Sequence, residues 1–486
     1  TAGFGDNEIN KMVNMTGKPL TGIKAIAAVE KSLISRWKPG ERMSYSNPGY
    51  NVLGYIISKV AGIPWNDYIQ QHLFKPLAMH GTSFDLNGKN NPTYARGYDF
   101  GKESPYLLPF YIPSSNGASS ALVSNAADMG KFMYQLLNMT EHNADWLNKH
   151  DFAEMEKVHS TLANQNGLKT GYALGNDCFP NNKKVTFRGH NGKGEGFSSW
   201  LFFNREVGLA YTISANCNTN LWPVSKLIED YLTKDMKVPK MLDVKIDHSR
   251  IAPMLGYYQF MNPKNERWEF FRRIFEGIKL LAVKGDKLIV EKGNGQIDSL
   301  IHTGNGIFRA KGDIISSYVV GYDREGRPFF QGYGSGFYSK TLYFPILFQK
   351  MLIYFGLIAS VLSILYALIA IPFALFKKLK MIDLYMILLP ALGVISFLVS
   401  YRLLGLTDIA TKELFTTVNL TSIFIFAGML FFGITVLIAS YLLYQRWTKL
   451  AHKWIKYPLA LYLLGLFYLV VLFSIHGWIV VPIWTM

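Results

Sequence analysis

Residues 45–55 have the sequence Tyr-Ser-Asn-Pro-Gly-Tyr-Asn-Val-Leu-Gly-Tyr. Apolar residues recur at helical spacing over Asn51–Ala61, and Gly62 follows as a stop signal. The stretch therefore predicts a helix that begins near Asn51 and ends at Gly62. Tyr45 and Asn47 are expected just before this helix, where their side chains are free to face a cleft.

Four further segments follow in order along the chain. They are Tyr68–Phe84, Gly117–Met129, Gly171–Gly175, and His190–Ser199 with the strand pattern Trp200–Asn204 directly after it. In the second segment, Asn125 is a candidate helix cap because Asp128 lies three residues further on. Residues 1–234 thus mix helical and strand patterns, which predicts an α/β fold.

Together these segments resemble the serine β-lactamase and penicillin-binding-protein-like hydrolases of the class C type. Tyr45-Ser46-Asn47 resembles the family's Y-[SA]-N element, and His190-Asn191-Gly192 resembles its H-x-G or K-T-G element. The intervening segments resemble "F-x-P-L-G-M-x-x-T", with Ala78 in place of the first glycine, and "G-G-L-x-S-T-x-x-D". Each tripeptide alone is a weak signal, but five matches in order are specific. The resemblance covers roughly residues 1–234.

The resemblance implies acyl transfer through a serine nucleophile. A serine hydroxyl reacts poorly unless a base removes its proton. By resemblance, Tyr45 shares that role with a lysine, and nearby cations must favour the ionised phenol. Asn47 is expected to hold the substrate amide, and His190 to bond Tyr45 or a substrate carboxylate from an edge strand. The alternatives are a packed aromatic residue at Tyr45 and a surface-turn histidine at His190.

Substrate-binding or oxyanion roles are implied for four neighbouring residues: Ser46, Asn191, Gly192 and Lys193. The backbone N–H of Lys193 is expected to help form an oxyanion hole. Gly192 is expected to let a substrate backbone approach the strand. Having His rather than Lys in the third element favours a peptidase or esterase over a true β-lactamase.

The family's nucleophile is the serine of an S-x-x-K motif on a helix well before Y-S-N. Ser35-Arg-Trp-Lys38 fits these letters, but it lies only seven residues before Tyr45, and Pro39 ends any helix there. We interpret it as a coincidence. Thr1-Ala-Gly-Phe resembles the family's "H-T-S-G-L", which follows the S-x-x-K helix. The nucleophile is therefore expected upstream in a longer precursor, and residues 1–486 alone are expected to be inactive.

Another literal match is Lys169-Thr170-Gly171, which spells the β-lactamase tripeptide. It precedes Tyr172–Gly175, whereas the family's element follows that strand. We interpret this match as a decoy.

The C-terminal third has a different composition. The whole chain has 50 Lys and Arg against 34 Asp and Glu, a net charge of +16, yet residues 343–486 hold ten of the former and three of the latter. Four long uncharged runs occur there: Met351–Phe376, Leu384–Tyr401, Val418–Gln445 and Tyr457–Met486. Each approaches or exceeds the ~20 residues that cross a bilayer as a helix. The pattern predicts four transmembrane helices rather than buried core helices.

The loops between these runs predict the orientation. The first contains Lys377, Lys378 and Lys380, and the third contains four positive residues between Arg446 and Lys456. The positive-inside rule places both loops in the cytoplasm. The predicted location is therefore the cell membrane, crossed four times, with the catalytic domain outside the cytoplasm.

Between these two regions, residues 253–342 contain short apolar stretches separated by turn signals. The signals are Lys284-Gly-Asp, Lys292-Gly-Asn-Gly, Thr303-Gly-Asn-Gly, Lys311-Gly-Asp and Asp323-Arg-Glu-Gly. This spacing predicts an antiparallel β domain. The predicted organisation is a β-lactamase-like α/β domain over 1–234, made of an antiparallel sheet with helical layers and lacking its N-terminal part. A linker and small β-rich domain over 235–342 and four transmembrane helices over 343–486 follow it.

Three functions are compared. The preferred hypothesis is a membrane-anchored serine hydrolase acting on an amide or ester, such as a D-amino-acid peptide, a peptidoglycan-related molecule or a simple ester. The second is a catalytically inactive family member that serves as a membrane-bound binding or sensor protein. The third, a transporter with a large ectodomain, is disfavoured because the apolar runs hold no charged pair at mid-depth.

The remaining expectations concern partners and cofactors. The basic residues form no run and do not alternate with aromatic residues, so no nucleic-acid partner is expected. The expected partners are a small-molecule or peptide substrate and the lipid bilayer. No metal cluster or phosphate-binding loop is recognised, so no metal or cofactor is expected. The sequence leaves open whether Cys178 and Cys217 pair.

Overall fold

The computed structural model describes most of the chain from residue 35 onward. The described residues are 13–14, 35–84, 93–100, 104–108, 112–113, 117–138, 149–158, 161–179, 182–194, 196–241, 243–264, 267, 269–333, 336–376, 378–404, 418–450 and 453–485. Thr1–Phe4 and Lys377 lie outside these residues.

The chain divides into two compact units. The first contains Thr1–Asn265 and Glu276–Thr341, and the second contains Glu266–Phe275 and Leu342–Met486. The first unit therefore includes both the predicted hydrolase domain and most of the predicted β-rich domain. The predicted domain boundaries at residues 234 and 342 stay predictions.

The first unit contains an open four-stranded antiparallel sheet in the order β5-β6-β7-β8. Its strands are β5 Asp177–Phe179, β6 Phe187–Gly194, β7 Phe197–Asn204 and β8 Leu209–Ala215. Two small strand pairs join β1 Val13–Asn14 to β4 Ile112–Pro113, and β2 Tyr98–Phe100 to β3 Pro105–Leu107. The helices are α1 Asn47–Ala61, α2 Trp65–Ile69 with a π-turn Gln70–Phe74, α3 Ala126–Leu137, α4 Lys149–Glu156, α5 Leu162–Gln165, α6 Trp222–Leu232 and α7 His248–Ile251.

Helices cover both faces of this sheet. Successive strand residues point to opposite faces, so Phe203 packs with Leu136 of α3 and Phe152 of α4. Its neighbour Phe202 packs on the other side, in a cluster that includes Ile228 of α6. The predicted antiparallel sheet with helical layers is confirmed.

Helix α1 ends where the sequence predicts, because Gly62 adopts the left-handed conformation (φ 71°) that terminates helices. The predicted start at Asn51 is wrong by one turn, since the helix begins at Asn47. Ser46 caps it by accepting a hydrogen bond from the Gly49 N–H, and Pro48 fits in the first turn. Likewise, the strand predicted from Trp200 begins at Phe197.

The predicted β-rich domain is a closed eight-stranded antiparallel barrel. Its strands are β9 Gly256–Phe260, β10 Ile278–Lys284, β11 Lys287–Glu291, β12 Ile297–Gly304, β13 Ile307–Ala310, β14 Tyr318–Tyr322, β15 Pro328–Gly332 and β16 Phe337–Lys340. Pairing of β16 with β9 closes the ring. All five turn signals fall between consecutive strands. Tyr258, Leu288 and Phe308 are fully buried in one core cluster, so side chains fill the barrel.

The barrel packs against the preceding α/β region through its outer surface. Leu162 and Leu168 cluster with Val319, Phe329 and Phe337 of the barrel. The Leu162 N–H also donates a hydrogen bond to the Glu41 carbonyl oxygen at 2.9 Å, which places this contact beside the segment that leads to α1.

The second unit contains four long apolar helices: α9 Tyr343–Leu375, α10 Met381–Leu404, α11 Leu420–Arg446 and α12 Lys453–Ile475. All four are long and apolar enough to cross a membrane. The last predicted run extends to Met486, whereas α12 ends at Ile475, close to the left-handed Gly477 (φ 76°).

A short helix, α8 Phe270–Phe275, also belongs to this second unit. Phe270 and Ile274 are almost fully buried in the same cluster as the long helices. Phe270 stacks on His476 with ring centroids 3.7 Å apart, and the Trp478 indole N–H donates a hydrogen bond to the Arg267 carbonyl oxygen. The loop between β9 and β10 therefore contributes an aromatic segment to the helical unit.

Candidate active site

Tyr45 and Asn47 lie on either side of the residue that caps α1. The Tyr45 hydroxyl donates a hydrogen bond to the Asn47 side-chain oxygen at 3.2 Å. Ser46, between them, has an extended backbone (φ −149°, ψ 103°) and uses its side-chain oxygen as the helix cap. The cap therefore sets the backbone from which both predicted site residues project.

His190 lies on β6, opposite Leu201 of β7. Strand β5 pairs only with the Phe187–Gly189 part of β6. From His190 onward, β7 is therefore the single pairing strand among the residues that the structure describes. The prediction that His190 lies on an edge strand is therefore wrong for the first part of β6, which has a neighbour on each side. It is correct for β6 from His190 onward.

Gly189 sets the spacing of the two strands just before His190. A Cβ atom at this position would lie 1.9 Å from the Leu201 carbonyl oxygen, so any side chain would push β6 away from β7.

Three aromatic rings come together where β6 and α1 approach each other. The ring centroids of Tyr45 and His190 are 6.0 Å apart, and those of Tyr45 and Tyr172 are 6.3 Å apart. The Nε2 atom of His190 lies 3.1 Å from the Tyr172 hydroxyl oxygen. Tyr45, Asn47 and His190 thus lie within one cluster, to which Tyr172 also belongs.

The partners of His190 define its neutral tautomer. Its Nδ1 atom lies 2.6 Å from the Asn191 carbonyl oxygen, and a carbonyl oxygen only accepts hydrogen bonds. Nδ1 therefore carries the proton, and in the neutral ring Nε2 accepts a hydrogen bond from the Tyr172 hydroxyl. This assignment rests on the hydrogen-bond partners. It leaves Nε2 engaged with Tyr172, which suits a positioning role.

Burial strengthens this arrangement. It raises the pKa of the Tyr172 phenol far above its usual value, and the neighbouring Tyr50, Tyr45 and Asp177 raise it further. Tyr172 therefore stays protonated and able to donate. Burial also raises the pKa of the Asp177 carboxyl, although the Cys178 N–H, His190 and Arg188 oppose that rise.

Residues 1–230 match the family model described as Beta-lactamase. This region belongs to the β-lactamase and penicillin-binding-protein-like family. Protein flp of Staphylococcus aureus (strain MRSA252) is 26% identical over 223 residues, which cover 46% of this chain and 41% of flp. The chain thus spans about two-fifths of the length of this relative.

Two solved structures are also similar to this chain. The octameric penicillin-binding protein homologue from Pyrococcus abyssi is 19% identical, with a TM-score of 0.39, and the match covers 70% of this chain and 76% of that one. D-amino acid amidase from Ochrobactrum anthropi SV3 is 21% identical, with a TM-score of 0.38, covering 47% of this chain and 68% of the amidase.

Two of the family-like segments, Tyr68–Phe84 and Gly117–Met129, are joined by hydrogen bonds in the structure. The Asp128 carboxylate accepts hydrogen bonds from the Gly81 N–H at 2.7 Å and from the Thr82 hydroxyl at 3.0 Å. Asn125 caps α3 by accepting from the Asp128 N–H, as predicted. The Thr and Asp positions of these motifs therefore tie the two segments together.

Ala78 shows why the family pattern has glycine at this position. Its φ of 51° lies in the left-handed region that favours glycine. Ala78 therefore adopts a backbone conformation that is strained for a residue with a Cβ atom.

The other predicted site residues follow the strand. Asn191, Gly192 and Lys193 are exposed on β6 and pair with Trp200, Ser199 and Ser198 of β7. A Cβ at Gly192 would meet only the Ser199 oxygen at 3.7 Å, so the protein itself leaves space there. The oxyanion and substrate-binding roles of these residues and Ser46 stay predictions, as do the catalytic roles of Tyr45, Asn47 and His190.

The two literal motif matches have other environments. Ser35 is exposed and not helical, and its hydroxyl donates to the Trp37 carbonyl oxygen at 2.7 Å. An S-x-x-K pair needs a helix to place both side chains on one face. Thr170 of the Lys-Thr-Gly match is buried and donates to the Ser316 carbonyl oxygen of the barrel at 2.7 Å. Its hydroxyl therefore serves packing.

Sequence reasoning missed Tyr172, although it quoted the segment that contains it. The available sequence signal was an aromatic residue directly after a glycine, Gly171. In the structure this glycine adopts a positive φ of 136°.

Within the described part of the chain, no group of three or more His, Cys, Asp or Glu is placed to hold a metal ion. Cys178 and Cys217 are both free thiols, and burial raises the pKa of Cys178 to about 11.

Proposed function

We propose that this protein is a membrane-anchored serine hydrolase that forms an acyl-enzyme with an amide or ester substrate outside the cytoplasm. The cluster of Tyr45, Asn47 and His190 is the observation that carries the proposal. It lies in the region that matches the β-lactamase family, and it joins a phenol, an amide and an imidazole within hydrogen-bonding or ring-contact distance.

In the proposed reaction, Tyr45 as phenolate accepts the proton from the nucleophilic serine of the full natural protein. The serine oxygen attacks the substrate carbonyl carbon and forms an ester, while Tyr45 returns the proton to the departing amine or alcohol. Water then hydrolyses the acyl-serine ester. Asn47 binds the substrate amide, and the Lys193 N–H donates to the oxyanion.

His190 has a supporting role in this proposal. Its Nε2 atom is engaged by Tyr172, so the ring orients neighbouring groups rather than removing a proton. A histidine also provides less fixed positive charge than the lysine of a K-T-G element. The proposed substrates are therefore peptides with D-amino acids, peptidoglycan-related molecules or simple esters, rather than β-lactams.

Active-site labelling of the full natural protein tests the chemistry. A fluorophosphonate probe is expected to modify one serine in an S-x-x-K motif N-terminal to Thr1, as mapped by mass spectrometry of the labelled peptide. Ser35→Ala is the matched control and is expected to label normally. Labelling that disappears in Ser35→Ala would place the nucleophile at Ser35. A full-length protein that reacts with neither the probe nor an activated ester would instead support the non-enzymatic binding or sensor function.

Impermeant thiol labelling of intact cells tests the orientation. The background is Cys217→Ser, which leaves the buried Cys178 as the remaining native cysteine of residues 1–486. Lys311→Cys, on an exposed barrel turn, is expected to react, and Lys378→Cys, in the first loop between apolar helices, is expected to be protected. Reaction at position 378 in intact cells would contradict the proposed topology.

A further inference from the structure

The loop after β9 brings a lysine from the barrel to the predicted catalytic tyrosine. The Nζ atom of Lys264 lies 4.9 Å from the centroid of the Tyr45 ring, over its face. The two residues are far apart in sequence, and the lysine belongs to the barrel rather than to any segment of the family-like pattern.

The side chains of Arg36 and Asn262 join this loop by hydrogen bonds to the segment 36–43, which precedes α1. The Arg36 guanidinium donates to the carbonyl oxygens of Pro263 at 3.2 Å and Lys264 at 3.1 Å. Asn262, 2% exposed, donates to the Met43 carbonyl oxygen at 2.8 Å and accepts from the Phe337 N–H of β16. The backbone of Lys264 is therefore held from both the barrel and the site.

We propose that Lys264 is a positioning residue that stabilises the ionised form of the Tyr45 phenol. The negative charge of a phenolate spreads over its ring, so a cation above the ring face stabilises the ionised form more than the neutral one. The inference rests on the proposed function for the use of Tyr45 as a base. It adds a role for the barrel, which supplies one charge of the site.

Other groups near Tyr45 also influence its ionisation. His190 of β6 and Tyr172 of the preceding segment contact its ring, Tyr50 of α1 bonds Tyr172, and Asp177 of β5 acts on both His190 and Tyr172. Asp177 and a protonated His190 have opposite effects on a phenolate. Lys264 adds a cation in direct contact with the Tyr45 ring.

Titration of Tyr45 itself provides the test. 3-Fluorotyrosine placed at position 45 of the full-length protein in detergent gives a fluorine NMR signal whose shift follows ionisation. In Lys264→Met, the titration midpoint is expected to rise by about one pH unit, because an opposite charge at this distance typically lowers an acid's pKa by about 1–3. Lys264→Arg is expected to restore most of the difference. Lys311→Met, an exposed barrel lysine, is the matched control and is expected to leave the midpoint unchanged.

This readout needs no hydrolysis, so its outcome is separate from that of the labelling experiment. An equal midpoint in wild type and Lys264→Met would overturn the inference even in an active enzyme. A rise that Lys264→Arg does not restore would also overturn it, because the effect would then come from altered packing rather than charge. In an active enzyme, the acidic limb of the acylation rate is expected to move to higher pH by the same amount in Lys264→Met.

Discussion

The open sheet and the closed barrel each hold a histidine with both ring nitrogens engaged, but the partners differ. In the sheet, Nε2 of His190 bonds the Tyr172 hydroxyl, and both rings contact Tyr45. In the barrel, Nδ1 of His302 lies 3.1 Å from the Val244 carbonyl oxygen, and Nε2 accepts from the Gly306 N–H. Backbone amide groups do not ionise near neutral pH, whereas the partner of His190 is an ionisable side chain that contacts a second tyrosine. The predicted site histidine therefore has a side-chain partner, whereas the barrel histidine has backbone partners.

Tyrosines show the same contrast. Tyr258 of the barrel is fully buried and donates its hydroxyl hydrogen to the Met254 carbonyl oxygen. Tyr45 is half-buried, with its ring beside those of His190 and Tyr172 and its hydroxyl on Asn47. A closed barrel leaves no strand edge at which a ligand can approach. The open sheet has such an edge from His190 onward.

The largest expected effect is a difference in acylation rate between variants of the two tyrosines, Tyr45 and Tyr258. Tyr45→Phe is expected to slow acylation of the full natural protein by about 10²–10⁴, because it removes the proposed general base and keeps the ring. Tyr258→Phe is the matched control in the barrel and should leave the rate unchanged. Stopped-flow measurement with an activated ester gives both rates. Equal rates for wild type and Tyr45→Phe would show that this phenol is not the base.

The two histidines give the next effect. His190→Ala is expected to slow acylation roughly five- to tenfold, as for one hydrogen bond of about 1 kcal/mol, because the ring positions its neighbours. His302→Ala should leave the rate unchanged and weaken the barrel by about 1–3 kcal/mol, since it leaves the buried Gly306 N–H without its partner. Ester kinetics and hydrogen exchange of the barrel strands measure the two effects. A similar loss of acylation rate in both variants would contradict the proposal that His190 acts in the site whereas His302 only stabilises the barrel.

The smallest effect concerns two aspartates. Burial alone would raise the pKa of Asp128, but hydrogen bonds from Lys131, Gly81 and Thr82 hold it below its usual value. For Asp323 of the barrel, hydrogen bonds from Arg327 and from the backbone N–H of Glu325 similarly outweigh burial and lower the pKa. Asp128 joins segments far apart in sequence, whereas Asp323 closes a local turn. Asp128→Asn is therefore expected to cost about 1–3 kcal/mol and Asp323→Asn about 0.5–1 kcal/mol at neutral pH.

The pH dependence of these costs has a definite sign. A carboxyl whose pKa is lower in the folded state adds stability above its unfolded pKa of about 4 and loses it as the pH falls through the folded value. The difference between wild type and each Asn variant should therefore shrink on acidification. Hydrogen exchange of residues 79–84 and 125–131 at two pH values measures it for Asp128. A difference that grows at low pH would contradict the assignment.

Local features of this chain could be predicted from the sequence. The end of α1 at Gly62, the Asn125 cap, the five barrel turns and the four apolar helices all depend on residues close together in the chain. Short-range rules of capping, turn formation and apolar periodicity decide them. The start of α1 was missed because Ser46 was interpreted as a motif residue and not as a cap.

Long-range features could not be predicted. Closure of the barrel depends on the pairing of β16 with β9, which no turn signal reveals. The bond between His190 and Tyr172 and the approach of Lys264 to Tyr45 depend on how the sheet and the barrel pack. The sequence around Lys264 does not indicate that its side chain lies over Tyr45, because the residues beside it in sequence are not the ones that surround it in space.

The discontinuous second unit has a practical consequence for protein production. A fragment that ends at Thr341 would retain Phe270 and Ile274, which the native protein buries among its long helices. These side chains would then be exposed to water as an apolar patch, and such patches promote aggregation. A fragment intended for crystallisation therefore needs polar replacements on α8 as well as removal of the C-terminal helices.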